Sequence, residues 1–255
     1  LLAAGVLCLV PFSGHQAEAP VAHTYELRIA DGVGGPVVLI RDGARAVLFD
    51  GREPGSQTRS VTRDRIGAWL EALKVGVIDQ LVLGDPETDP QRHWGSPRLP
   101  EIEHVTEASD CTLGSQAGWG QLSLSGLAAG GKCSLLLRVG RRTALLAGPV
   151  SRRGERRILR KLDKGRAVDL LVAPRGGQGR SSQLGFIEAL SPALSVLAPP
   201  DWYQGEAGAP ALKRYERADA RVLFTPRTGE LRLLPEEAGW GVGKARDCGQ
   251  KARLC

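Results

Sequence analysis

Leu81-Val-Leu-Gly-Asp-Pro-Glu-Thr-Asp-Pro90 runs from three apolar residues into three carboxylates, Asp85, Glu87 and Asp89, set two residues apart. Leu81 to Leu83 read as a buried strand that Gly84 and Pro86 stop, so the acids fall on the loop past the strand's carboxyl end. In α/β sheets that is where ligands and chemistry sit. A cluster of oxygen donors at such a place is where a metal would be held.

On either side the hydrophobic pattern alternates between strands and helices. Upstream, Ile66, Trp69, Leu70 and Leu73 recur at helical spacing within Arg63–Lys74 and form one apolar stripe, which Gly76 ends. Before that helix, Tyr25, Leu27 and Ile29 alternate with polar residues as a half-buried strand does. Val37–Ile40 and Ala46–Phe49 then form a hairpin across an Asp42-Gly43 turn. The glycines of Asp31-Gly-Val-Gly-Gly35 lack the G-x-G-x-x-G spacing and lead into a strand, not a helix, which argues against a phosphate-binding loop.

Downstream, Gln121–Leu127, Ser134–Val139 and Thr143–Leu146 read as strands, and Arg152–Leu162 as a helix. Val168–Ala173 is a fully apolar strand. The helix Leu184–Leu190, the strand Leu194–Ala198, the helix Ala211–Arg217 and strands at Val222–Thr225 and Glu230–Leu234 complete the series. The stretch between His93 and Ala108 carries no clear period.

These motifs, taken in order, resemble the metallo-β-lactamase fold and, more narrowly, the C-terminal domain of the ComEC family of DNA-internalisation competence proteins. The opening loop is similar to that fold's H-x-[HD]-x-D-H. Asp85 and Pro90 stand where histidines are expected, Glu87 replaces the middle ligand, and Asp89 is kept. Asp31-Gly-Val-Gly-Gly35 resembles D-V-G-Q-G-D-A with Pro36 for the second Asp, and Phe49-Asp-Gly51 resembles the turn that follows. Leu146 to Pro149 is similar to L-L-T-G-D, with Pro149 for the metal-bridging Asp. Pro174-Arg-Gly-Gly177 is similar to P-H-H-G-S, with Arg175 and Gly176 at the histidine positions. Ala209-Pro210 stands for G-H-P.

The resemblance implies an α/β fold, an αββα sandwich of two mixed sheets flanked by helices, over residues 21–235. It also implies a pocket that has lost its imidazoles. Metal hydrolysis in this fold needs neutral imidazoles and carboxylates around Zn²⁺ or Mn²⁺ to activate a water near neutral pH. No cofactor and no catalytic residue is therefore expected, and Asp85, Glu87, Asp89 and Arg175 form a vestigial pocket. The alternative is a weak Mg or Zn site at Asp85, Glu87 and Asp89 serving an active metal-dependent phosphodiesterase or nuclease. His93 and His104 lie off the pattern and read as surface or loop side chains.

Composition bounds the rest. With 42% hydrophobic and 24% charged residues the 255-residue chain is an ordinary folded protein,. Its net charge of +6 is matched by one segment, Arg152 to Arg166, where eight basic residues face two acids. Arg152, Arg153, Arg156, Arg157, Arg160 and Lys161 are arranged in i, i+4 columns, and such like charges oppose the helix by a few tenths of a kcal/mol per pair. With Arg175 and Arg180 they are the candidate DNA-binding residues, because neutralising phosphates needs charge more than exact geometry. A solvated or membrane-facing helix is the plain alternative. Trp202 and Tyr203 would stack on bases or simply pack.

Five cysteines show no zinc spacing,. The resemblance implies that Cys111 and Cys133 pair in an oxidising compartment, which would stabilise by roughly 3 kcal/mol; two free buried thiols are the other reading. Residues 1–20 open with a twelve-residue apolar run, too short alone to span a bilayer, for which about 20 residues are needed,. It reads as the end of a transmembrane helix or as a signal segment, and a buried core helix is the third option. The lack of any Met suggests a fragment or a processed form. Residues 236–255 read as a flexible basic tail.

The function implied is that of a ComEC-type domain on the extracytoplasmic side of the inner membrane. Its partners would be DNA, single-stranded or an entering duplex, and the membrane channel of the same longer chain. A domain that only steadies that membrane partner is the remaining possibility.

Overall fold

The structure, a computed structural model, describes residues 25–43, 45–53, 59–111, 118–162, 167–200 and 209–244. The segment 1–20, Trp202, Tyr203 and residues 245–255 lie outside them. Among the described residues no helix is long and apolar enough to cross a membrane.

Two mixed seven-stranded sheets stack face to face. Strands β1 (Tyr25–Ile29), β2 (Val37–Asp42) and β3 (Arg45–Asp50) form a meander. Helix α1 (Arg59–Ala72) carries the chain over to β4 (Val77–Leu83), and α2 (Pro90–Trp94) leads on to β5 (Glu101–Thr106). Strands β3, β4 and β5 run parallel.

The second half repeats the plan. Strands β6 (Gly118–Trp119), β7 (Leu122–Ala128), β8 (Cys133–Val139) and β9 (Arg142–Leu146) meander. Helices α3 (Arg152–Lys161), α4 (Leu184–Leu190) and α5 (Ala209–Arg217) then alternate with the parallel strands β10 (Leu170–Val172), β11 (Leu194–Leu197) and β12 (Arg221–Phe224). After the short α6 (Thr225–Thr228), β13 (Leu231–Glu236) returns to the first sheet and pairs antiparallel with β1, Leu27 opposite Leu233.

The apolar runs explain the layering. Along β4, β9 and β10 successive side chains face opposite ways, and both faces are covered. Val82, Ala144, Leu146, Leu170 and Val172 fill the layer between the sheets. Leu81 and Leu83 pack beneath α1 beside Ile66 and Leu70. Leu145, Leu171 and Ala173 pack beneath the second helical layer beside Ile158, Ile187 and Tyr215. The αββα sandwich read from the sequence is the architecture found.

Three local readings differ. Helix α1 begins at Arg59, ahead of the apolar stripe that predicted it. The unperiodic stretch holds β5, whose residues are all exposed or half-exposed along a sheet edge, so no alternation marks it. The tail predicted from residue 236 is corrected by β14 (Gly239–Lys244), which pairs in full with β13. Glycines at 239, 241 and 243 hide this strand, and a Cβ on Gly241 would overlap the Glu236 carboxylate. Trp240 nevertheless joins the layer between the sheets.

Candidate functional site

The carboxyl ends of the parallel strands converge at one end of the sandwich, and there the predicted loops meet. Gly84, at the end of β4, donates its N–H to Asp50 O at 2.8 Å, and its carbonyl accepts from Cys133 N at 2.8 Å across the sheets. A Cβ at Gly84 would lie 2.7 Å from Pro149 Cδ and 2.9 Å from Asp50 O, so only glycine fits between these corners. Gly148, at a positive φ of 65°, abuts Cys133 O, and its own carbonyl accepts from Arg175 N at 2.8 Å. The opening acidic loop, the Gly148-Pro149 corner and the Pro174 loop are thus brought together. Ala209 opens α5, and its side chain lies outside the described residues.

The acids do not converge on a common point. Asp85 is buried, 2% exposed, whereas Glu87 and Asp89 are exposed. Asp85 Oδ1 accepts the Glu87 N–H at 3.0 Å, and Asp85 Oδ2 accepts from Lys132 Nζ, just ahead of β8 in the other sheet. Arg175, held at φ 52°, pairs with Glu53 through Nη2–Oε2 at 2.8 Å and Nε–Oε1 at 2.6 Å. Asp50, 3% exposed, accepts from Arg52 Nε at 2.7 Å, Arg52 Nη2 at 2.6 Å and Trp94 Nε1 at 3.0 Å. The Arg52 guanidinium lies 5.4 Å over the Trp94 ring,. Burial alone would raise the Asp50 carboxyl, but the charge and hydrogen bonds of Arg52, with help from Trp94, outweigh it and hold it below its ordinary value,.

A hydrolytic metal does not fit this arrangement. Among the described residues no three His, Cys, Asp or Glu side chains gather as an ion would require. The most buried acid of the loop already faces an ammonium group, which repels a dication. His93 Nδ1 lies 2.8 Å from Asp89 O and His104 Nδ1 lies 3.3 Å from Asp79 O, each ring bound to a backbone carbonyl.

Sequence reasoning missed Lys132, Arg52, Glu53 and Trp94. Asp50 lies in the Phe49-Asp-Gly51 turn and Cys133 in the implied disulfide, which marks their neighbours Arg52 and Lys132. Nothing in the sequence pairs Lys132 with an acid 47 residues away.

The basic residues form a second feature. Ser151 caps α3 by accepting the Gly154 N–H, and Gly154, Glu155 and Ile158 face inward. Arg152, Arg153, Arg156, Arg157, Arg160 and Lys161 are all exposed, as is Arg180. Arg157 lies against Gly130, where any side chain would displace its guanidinium.

Glu155, the lone acid of this helix, is 1% exposed and accepts N–H groups from Ser182 at 2.6 Å and Gln183 at 3.1 Å. Burial pushes its carboxyl above the usual value, against the pull of those two bonds and of Arg214 and Arg152. Arg214 donates to the carbonyls of Gly179, Ser181 and Ser182, and Tyr215 donates its hydroxyl to Ser182 Oγ at 2.9 Å. Arg152 Nε reaches Arg180 O at 3.1 Å. The loop carrying Arg180 is therefore fastened to the basic helix. Cys111 and Cys133 form a disulfide, the pairing that the resemblance implied.

No protein-family model matches the sequence, and no curated protein matches it. Among solved structures the chain is similar to CmlA, a diiron β-hydroxylase from Streptomyces venezuelae, with a TM-score of 0.51 and 13% identity. That likeness covers 85% of this chain and 55% of CmlA, so the chain spans about half of CmlA's length. It is also similar to the metallo-β-lactamase fold protein YhfI from Bacillus subtilis, with a TM-score of 0.48 and 10% identity, covering 87% of this chain and 100% of YhfI. Identities this low speak to fold alone. The likeness to CmlA extends over most of the two-sheet sandwich, and it is a likeness of fold.

Proposed function

We propose that this chain is a catalytically silent metallo-β-lactamase-fold domain of a ComEC-type competence protein that binds or guides DNA. The single observation that carries the proposal is the segregation of charge on α3: its six basic side chains are all exposed, and its one acid is buried beneath them. Such a face neutralises phosphates and releases counterions without reading bases. Arg180, held beside Arg152, extends it by one charge. The ion pairs at the strand-end corner support the silent half of the reading, because Asp85 and Glu53 there answer to side-chain cations. By this reading the domain stands on the extracytoplasmic side of the inner membrane, beside a channel formed by the rest of a longer chain.

Titration of DNA against the protein over a range of salt concentrations tests it. Log affinity is expected to fall linearly with log salt, by about 0.9 per phosphate contacted. Replacing Arg153, Arg157 and Arg160 with Ala should flatten that slope by up to about 0.9 per residue removed and weaken binding to unrelated sequences alike. An unchanged slope removes α3 as the contact. The competing reading, a nuclease using Asp85, Glu87 and Asp89, requires metal-dependent cleavage that Asp85→Ala or Asp89→Ala abolishes.

A further inference from the structure

Two acids on loops of the first sheet are each neutralised by a cation borne by the second. Asp85 follows β4, and its partner Lys132 immediately precedes β8. Glu53 follows β3, and its partner Arg175 follows β10. Both pairs lie at the same end of the sandwich, around the contact of Gly84 and Pro149. A third pair, Asp50–Arg52, closes the β3 corner beside them, where Asp50 O accepts the Gly84 N–H.

We infer that Lys132 and Arg175 form an electrostatic clamp joining the two sheets, with side-chain cations performing at this corner the neutralising task of a bound divalent ion. The inference rests on the reading of the pocket as non-catalytic and extends it, since it assigns a role to what replaced the metal. Asp85 is 2% exposed at its side chain and Lys132 27%, so the pair is formed by a buried carboxylate and a partly covered ammonium. Removing the cation would strand an uncompensated charge in the interior, whereas removing both charges would not. The Arg175–Glu53 pair, 35% and 36% exposed, is screened by solvent and contributes less,.

Thermal unfolding of the full chain, with its disulfide intact, tests the clamp in Lys132→Met, Asp85→Asn and the double variant. Each is measured in EDTA and with added Zn²⁺, Mn²⁺ or Mg²⁺. Lys132→Met should lower the midpoint, the double variant should regain most of the loss, and neither chelator nor metal should move the midpoint of the unaltered protein. Should Lys132→Met fail to fold, Lys132→Arg retains the charge and should keep the original midpoint, and Glu53→Gln with Arg175→Met repeats the cycle at the more exposed pair. The clamp is overturned if EDTA lowers the midpoint of the unaltered protein, if stoichiometric metal raises it, or if the effects of Lys132→Met and Asp85→Asn simply add. The silent-pocket reading fails separately, on metal-dependent cleavage of DNA.

Discussion

Asp50 shows how much one side chain carries at the strand-end corner. Its carboxylate is satisfied by Arg52 and Trp94 and is held below its ordinary value of 3.8. The stability it contributes is therefore complete above the unfolded value and lost as pH falls through the lower, folded one. Asp50→Asn should destabilise the protein at neutral pH by about 3–5 kcal/mol, as expected when a buried ion pair loses one partner. It should also flatten the acid limb of the stability profile. Denaturant unfolding from pH 2 to 7 measures both, and an acid limb unchanged in Asp50→Asn would show that the pair is not its source. Glu155 has the opposite sign: raised by burial, it favours folding most at low pH and loses that contribution as pH climbs through its folded value,.

At the scale of elements, what could be read from the chain depended on how each segment is buried. β4, β9 and β10 are covered on both faces, so their apolar runs announce them. The helix α1 shows its stripe because one side meets solvent. β5 and β14 left no such mark, one for lack of buried side chains and the other because alternate residues are glycine. The acidic loop and the corners facing it were legible from motif order. The partners of their charges were not, because Lys132 and Arg175 meet Asp85 and Glu53 only once two distant halves have stacked. β14 has measurable weight despite its composition. Trp240→Ala removes its one large buried side chain, and a loss of about 3 kcal/mol is expected, at the low end of the range for Trp or Phe truncation because the strand lies at an edge,. The urea midpoint reports it, and a change below about 0.5 kcal/mol, the scale of surface substitutions, would mean that β14 does not anchor the sheet.

For the molecule as a whole, the disulfide fastens the region beyond β5 to the first residue of β8, beside Lys132. Both cysteines are buried, so reduction should require unfolding and proceed slowly in the native protein,. Replacing both with Ser should lower stability by about 3 kcal/mol for a separation of 22 residues and leave the fold intact,. Denaturant unfolding with and without reductant checks this, and equal midpoints would show that the cross-link constrains nothing.

The return of β13 to β1, placing Leu233 opposite Leu27, has a temporal consequence. A newly made chain would hold one flank of β1 bare until residues more than 200 positions later had been synthesised and had docked,. Through that interval the nascent domain presents an open template for foreign strands, and it is then most in need of a chaperone.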